Sequence, residues 1–94
     1  MKYYLYILKC SDKTFYTGIT TNLKRRLNEH NGLGGKNKGS KYTMTRRPVS
    51  LVYLSKFKDR STASKEEYRI KKLSKLEKKN LILSGDIFLN DKIN

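Results

Sequence analysis

Two runs of strand-forming residues stand close together at the start of this chain, and no other feature constrains its fold as much. Residues Tyr3–Leu8 read YYLYIL and Thr14–Thr20 read TFYTGIT, both rich in aromatic and β-branched side chains. Ser11-Asp12-Lys13 lies between them with the chemistry of a turn, so the chain is expected to open with an antiparallel hairpin. A third strand is expected after Pro48, where Val49, Leu51, Val52, Tyr53 and Leu54 supply apolar side chains to both faces. With 94 residues there is material for one compact domain. The expected architecture is α/β, a small three-stranded antiparallel sheet flanked by helices, over residues 1–85 with a C-terminal tail at 86–94.

The flanking helices are visible in the spacing. Thr21 or Asn22 can cap a short helix over about residues 22–31, in which Leu23, Leu27 and His30 recur at helical intervals. Residues 31–40 hold four of the six glycines and read as a mobile loop that adds nothing to the core. From Ser61 the stripe Ala63, Glu67, Ile70, Leu73 predicts a second helix. Ser74-Lys75-Leu76-Glu77 spells a capping box for another, with Leu76, Leu81, Ile82 and Leu83 as its apolar side and Gly85 as its stop.

Twenty-two Lys and Arg against eight Asp and Glu leave a net charge of +14, which draws polyanions and releases their counterions. Between Glu29 and Asp59 there is no acidic residue. Lys36, Lys38, Lys41, Arg46 and Arg47 fall there with no carboxylate nearby in sequence to neutralise them, and they are the expected contacts to nucleic-acid phosphates. No apolar run approaches the ~18 residues of a membrane span, and the N-terminus lacks a signal-peptide cleavage site, so a cytoplasmic protein is expected. One Cys and one His exclude the usual zinc spacings, and Cys10 reads as a buried strand-end residue rather than a nucleophile.

A tyrosine on a strand is ordinarily a core or rim residue, and an arginine on a basic helix is ordinarily solvated. Their order overturns that reading here. Tyr6 on the first strand is followed by Tyr16-Thr17-Gly18 on the second ten residues later, by Arg26 ten residues further on, and by a carboxylate on a late helix. With these residues the chain resembles the GIY-YIG nuclease family, in particular its small stand-alone bacterial members, over Tyr3 to about Ile82. Tyr4-Leu5-Tyr6 stands where that family has Gly-Ile-Tyr, and Tyr16-Thr17-Gly18 keeps the Tyr and Gly of the second half. Further matches are Asn22-Leu23 with Arg26 and His30, Lys41-Tyr42-Thr43, Arg46-Arg47-Pro48-Val49, Leu51-Val52-Tyr53 and Glu67-Tyr68-Arg69-Ile70-Lys71. The Gly-rich loop is longer than is usual in the group.

The resemblance implies a metal-dependent endonuclease acting on DNA, with RNA as an open alternative. Glu67 would hold Mg²⁺, or Mn²⁺ in its place, since a lone carboxylate suits a cation that keeps most of its waters. Arg26 would clamp the non-bridging phosphate oxygens. Tyr6 and Tyr16 would position the attacking water or take its proton, helped by Arg26 and the positive field, because a free phenol titrates near ~10. His30 would relay a proton or bind phosphate. Glu67 lies on the stripe facing the sheet and Glu66 is turned toward solvent, which selects Glu67 as the ligand. Asn80 or Asn90 could add a late polar contact. The chain is expected to act as a monomer, off the membrane, with its target either chosen by a protein partner or recognised by structure rather than sequence. The rival readings are a nucleic-acid-binding module of the same fold without hydrolytic activity, and a binder of anionic lipid surfaces.

Overall fold

The computed structural model describes residues 2–34 and 38–84. Strand β1 (Tyr3–Lys9) and strand β2 (Phe15–Thr20) form the expected hairpin, and β3 (Ser50–Phe57) pairs with the other side of β1, giving the antiparallel order β2-β1-β3. Its turn is held by Asp12, which accepts from the backbone N–H and hydroxyl of Thr14. β3 runs three residues further than the apolar pattern indicated, because Ser55, Lys56 and Phe57 continue the ladder against Leu5, Tyr4 and Tyr3. The register shifts between Ile7 and Leu8, whose partners are Tyr53 and Leu51.

Side-chain alternation along β1 divides the interior in two. Tyr6 and Leu8 point to one face, where they meet Leu23, Val49 and Leu54 with Tyr4, Tyr16, Leu27, Tyr42 and Leu51 around them. Leu5 and Ile7 point to the other, where Ile70 covers them with Phe15, Ile19, Tyr53, Leu73, Leu81 and Ile82. The first face carries α1 (Leu23–His30) and α2 (Lys41–Met44), and the second carries α3 (Arg60–Lys71) and α4 (Lys75–Ser84).

Each long helix starts where a side chain satisfies free backbone N–H groups. Asn22 accepts from the N–H of Arg25, Asp59 accepts from that of Thr62, and Ser74 and Glu77 close the expected capping box. On α4 only part of the expected apolar side is covered. Leu81 and Ile82 pack on the sheet, while Leu76 and Leu83 are exposed. Gly85 and the tail 86–94 lie outside the described residues.

The segment expected to be an inert loop is anchored at both described ends. Asn31 donates to the carbonyl of Val49 and accepts from its N–H, so one amide side chain ties the end of α1 to the start of β3. Gly39 passes the end of α1 at φ +95°, so close that a Cβ would lie 2.9 Å from the Glu29 carbonyl. After it comes α2, one turn that the sequence analysis did not anticipate. Ser40 caps it, its Oγ accepting from the N–H of Thr43 while Thr43 Oγ1 accepts from the N–H of Ser40.

Candidate active site

On the α1 face the polar side chains are buried in a row. Tyr6 is 1% exposed, and His30 and Thr43 are wholly buried. Tyr6 Oη lies 2.9 Å from His30 Nε2, and His30 Nδ1 lies 2.8 Å from Thr43 Oγ1. Around this chain the rings of Tyr16 and His30 are 5.1 Å apart, Tyr16 stacks on Tyr42 at 6.0 Å, and the Arg46 guanidinium sits 3.9 Å over Tyr42. Gly18 makes room for it. It pairs with Tyr6 across the hairpin, and a Cβ there would stand 2.5 Å from the Tyr6 hydroxyl oxygen.

Arg26, one turn before His30 on α1, closes the open side. Its guanidinium donates to Glu29 at 3.1 Å, and its charge bears on the Tyr6 phenol. Burial pushes the Tyr6 pKa up to about 12, with Arg26 opposing. The expectation that the surrounding cations would lower it is therefore corrected, since removing a phenolate from water outweighs one nearby guanidinium. Burial first and then the charge of Arg26 push the His30 pKa down to about 4. The resting pair is thus a neutral phenol hydrogen-bonded to a neutral imidazole. The imidazole is wholly buried, with one ring nitrogen on Tyr6 and the other on Thr43.

The two glutamates are not one inside and one outside. Ala63 and Ile70 are wholly buried and mark the centre of the covered stripe of α3, from which Glu66 and Glu67 are displaced by about 50° to either side. Their side chains are 28% and 22% exposed. What separates them is the direction each faces. Glu66 is held by Arg69 through two bonds of 2.7 and 2.6 Å and bears on Tyr53. Glu67 is paired with Lys71 at 3.3 Å, and its charge bears on the Tyr6 phenol. Among the described residues no three His, Cys, Asp or Glu gather as a metal cluster. A single carboxylate such as Glu67 suits a cation of the Mg²⁺ kind, which completes its shell with water and substrate oxygens.

The basic residues divide as well. Lys38 and Lys41 are exposed, as phosphate contacts must be, and Lys36 lies outside the described residues. The absence of a neutralising carboxylate near Arg46 does not hold in three dimensions: its Nε donates to Asp12 at 2.9 Å, and Nη1 donates to the Tyr42 carbonyl. Arg47 donates to the carbonyls of His30, Glu29 and Lys38, placing a cation on the C-terminal end of α1 where the helix dipole favours one. Both arginines hold the fold. Asn80 is exposed on α4, whose apolar residues pack on the opposite face, and Asn90 lies outside the described residues. Burial raises the pKa of Cys10 and leaves it a core residue.

Ser40, Thr43, Tyr42 and Glu29 build the walls of this site and were not among the candidate site residues, although Lys41-Tyr42-Thr43 was one of the matches to the family. A second signal was Ser40-x-x-Thr43, a capping spelling with Thr in place of the usual Glu or Gln.

The sequence profile of the GIY-YIG catalytic domain matches residues 2–80. A UPF0213 protein of Desulfotalea psychrophila is 50% identical over 84 residues, covering 89% of this chain and 74% of its own. One of Syntrophus aciditrophicus is 54% identical over 81 residues, covering 86% and 90%. Among solved structures, the solution NMR structure of the UPF0213 protein of Bacillus halodurans superposes with a TM-score of 0.59 at 39% identity, over 97% of this chain and 94% of that one. Among the described residues, no helix is long and apolar enough to cross a membrane.

Proposed function

Because this chain belongs to the GIY-YIG catalytic-domain family, a nuclease family, we propose that it is a Mg²⁺-assisted endonuclease that hydrolyses DNA phosphodiesters in the cytoplasm. The observation that carries the reading is the buried Tyr6–His30 hydrogen bond, with the charges of Arg26 and Glu67 bearing on the same phenol. A water held at Tyr6 gives its proton to Tyr6 Oη as the Tyr6 proton passes to His30 Nε2. The water oxygen bonds to phosphorus, the bond to the leaving oxygen breaks, and that oxygen takes a proton from solvent. The relay explains how a phenol with a pKa near 12 takes part: it never carries a full charge, because the imidazole behind it accepts a proton in the same step. Arg26 stabilises the extra negative charge on the phosphoryl oxygens, which is worth about 10²- to 10³-fold in rate for one donor of this kind. Tyr16 walls the pocket beside the ring of His30. Glu67 would hold the cation, whose contribution is to neutralise charge on the phosphate and leaving group. Exposed Lys38 and Lys41 would contact backbone phosphates and so fix position without reading bases.

The test is nicking and cleavage of plasmid, single-stranded, branched and flapped DNA and of RNA with Mg²⁺, Mn²⁺ or chelator. Glu67→Gln is expected to abolish cleavage at unchanged or tighter DNA affinity, because a negative charge beside phosphate is lost, and Glu66→Gln is expected to change it little. Equal loss from both variants would remove the assignment of Glu67. Protein that binds every substrate and cuts none with either metal would be a binding module.

A further inference from the structure

Thr43 does more than fill the core. We propose that Thr43 is a positioning residue that locks the imidazole of His30 in the one tautomer able to accept the Tyr6 proton, an inference that rests on the relay described above. At the far end of the hydrogen-bond chain, Thr43 Oγ1 lies 2.8 Å from His30 Nδ1, 3.1 Å from Ser40 Oγ and 3.2 Å from the Ser40 carbonyl, an obligate acceptor for its one hydroxyl proton. With the proton on that carbonyl, the lone pairs of Oγ1 face the Ser40 N–H at 3.3 Å and His30 Nδ1, which then carries the proton of that bond. At the near end, Tyr6 Oη lies 2.9 Å from Nε2, which must be bare to accept the phenol proton in the relay. With the protons so placed, an Nδ1–H imidazole satisfies both ends.

The surrounding structure is built to hold Thr43 still. It sits third in the one-turn helix α2, its backbone N–H bonded to Ser40 Oγ at 3.1 Å. Gly39 brings that turn against the backbone of α1, where a Cβ would come within 3.0 Å of the His30 Cα. Arg47 then bonds the carbonyls of His30 and Lys38 together. Three fully or almost fully covered polar groups in one chain, each with a partner at 2.8 to 2.9 Å, are costly to arrange.

The chain has a single histidine, so its two ring nitrogens can be observed without assignment ambiguity. Long-range proton–nitrogen correlation on ¹⁵N-histidine-labelled protein should show the Nδ1–H tautomer in the unaltered chain. Thr43→Val, which keeps the shape and removes the acceptor, should shift the ring toward Nε2–H or a mixture and lower kcat by roughly 10²-fold at little-changed KM, the lower range for a positioned proton acceptor. Thr43→Ser should restore both tautomer and rate. Ser40→Ala weakens the helix cap while keeping the Thr43 hydroxyl and the Ser40 carbonyl, so it should leave the tautomer as it was. An Nε2–H ring in the unaltered protein, or an unchanged ring and rate in Thr43→Val, would overturn the proposal. Should Thr43→Val not fold, the unaltered protein together with Thr43→Ser and Ser40→Ala still decides it. Absence of any cleavage would sink the nuclease reading alone, since the tautomer is read without substrate.

Discussion

The two faces of β1 are buried equally deeply and by different means. Leu5 and Ile7 face Ile70 through hydrocarbon alone, all three with no exposed surface. Tyr6, one residue away on the other face, carries a hydroxyl into a space shared with His30 and Thr43. Burial on the first face stabilises by about 1.5 to 3 kcal/mol for each large apolar side chain. On the second, hydrogen bonds largely offset the cost of desolvating polar groups, so little net stability is gained. A strand of seven residues thus separates what holds the fold from what the fold holds in place.

The widest separation between the faces should come from a pair of substitutions. Ile70→Ala is expected to lower unfolding free energy by about 2 to 5 kcal/mol, since it opens a cavity in a fully closed cluster. Cleavage per folded molecule should stay near that of the parent. Arg26→Ala should do the reverse, with a rate loss of about 10²- to 10³-fold and a far smaller fall in DNA affinity, one phosphate contact among many. Denaturant titration and single-turnover kinetics on both proteins would expose any mixing of the two roles. If Arg26→Ala lost rate and affinity in step, it would be a phosphate anchor only.

A smaller difference should appear with pH. His30 titrates near 6.5 when unfolded and near 4 when folded, so the unfolded chain binds the extra proton in between. The neutral imidazole's contribution to stability is complete above about pH 6.5 and is lost as pH falls through about 4, with a slope of up to ~1.4 kcal/mol per pH unit. The groups bearing on it are Arg26 and Arg47, which favour the neutral ring, and Glu29, which opposes them. Thermal melts of the parent and of His30→Asn between pH 4 and 7 isolate this component, and parallel curves would show that the ring is not desolvated as described.

How far the sequence revealed these faces depends on range. The hairpin, the Asn22 cap and the Ser74–Glu77 box were legible because each is settled within a few residues. The single turn at Lys41–Met44 was not, since four residues carry no hydrophobic period. Arg46 looked unpaired because its carboxylate, Asp12, is 34 positions away. The order Tyr6, Tyr16, Arg26, His30, Glu67 pointed to the candidate site, but the competition between burial and charge that shifts the Tyr6 and His30 proton affinities exists only once the chain has folded.

The smallest effect tests that distant pair. Arg46→Gln removes a guanidinium from the face of Tyr42, a contact worth about 0.5 to 1 kcal/mol, and should lower the melting temperature by about 4 °C. The dependence of DNA affinity on salt should hardly move, because this cation already serves the protein. A clear flattening of the salt slope with no loss of melting temperature would return Arg46 to the nucleic acid.

Gly18 bears on how the hairpin chooses its alignment. A glycine ordinarily weakens a strand, and hairpins with polar or featureless strands can slide by two residues while keeping the same side chains on the same face. Here sliding is penalised by shape. Only the observed alignment puts the Tyr6 ring over the one position of β2 without a side chain, whereas a shift of two in either direction would set it against Tyr16 or Thr20. The gap at Gly18 therefore rejects misaligned hairpins as the chain collapses, and the phenol proposed for the chemistry also serves as the gauge that aligns its own strand.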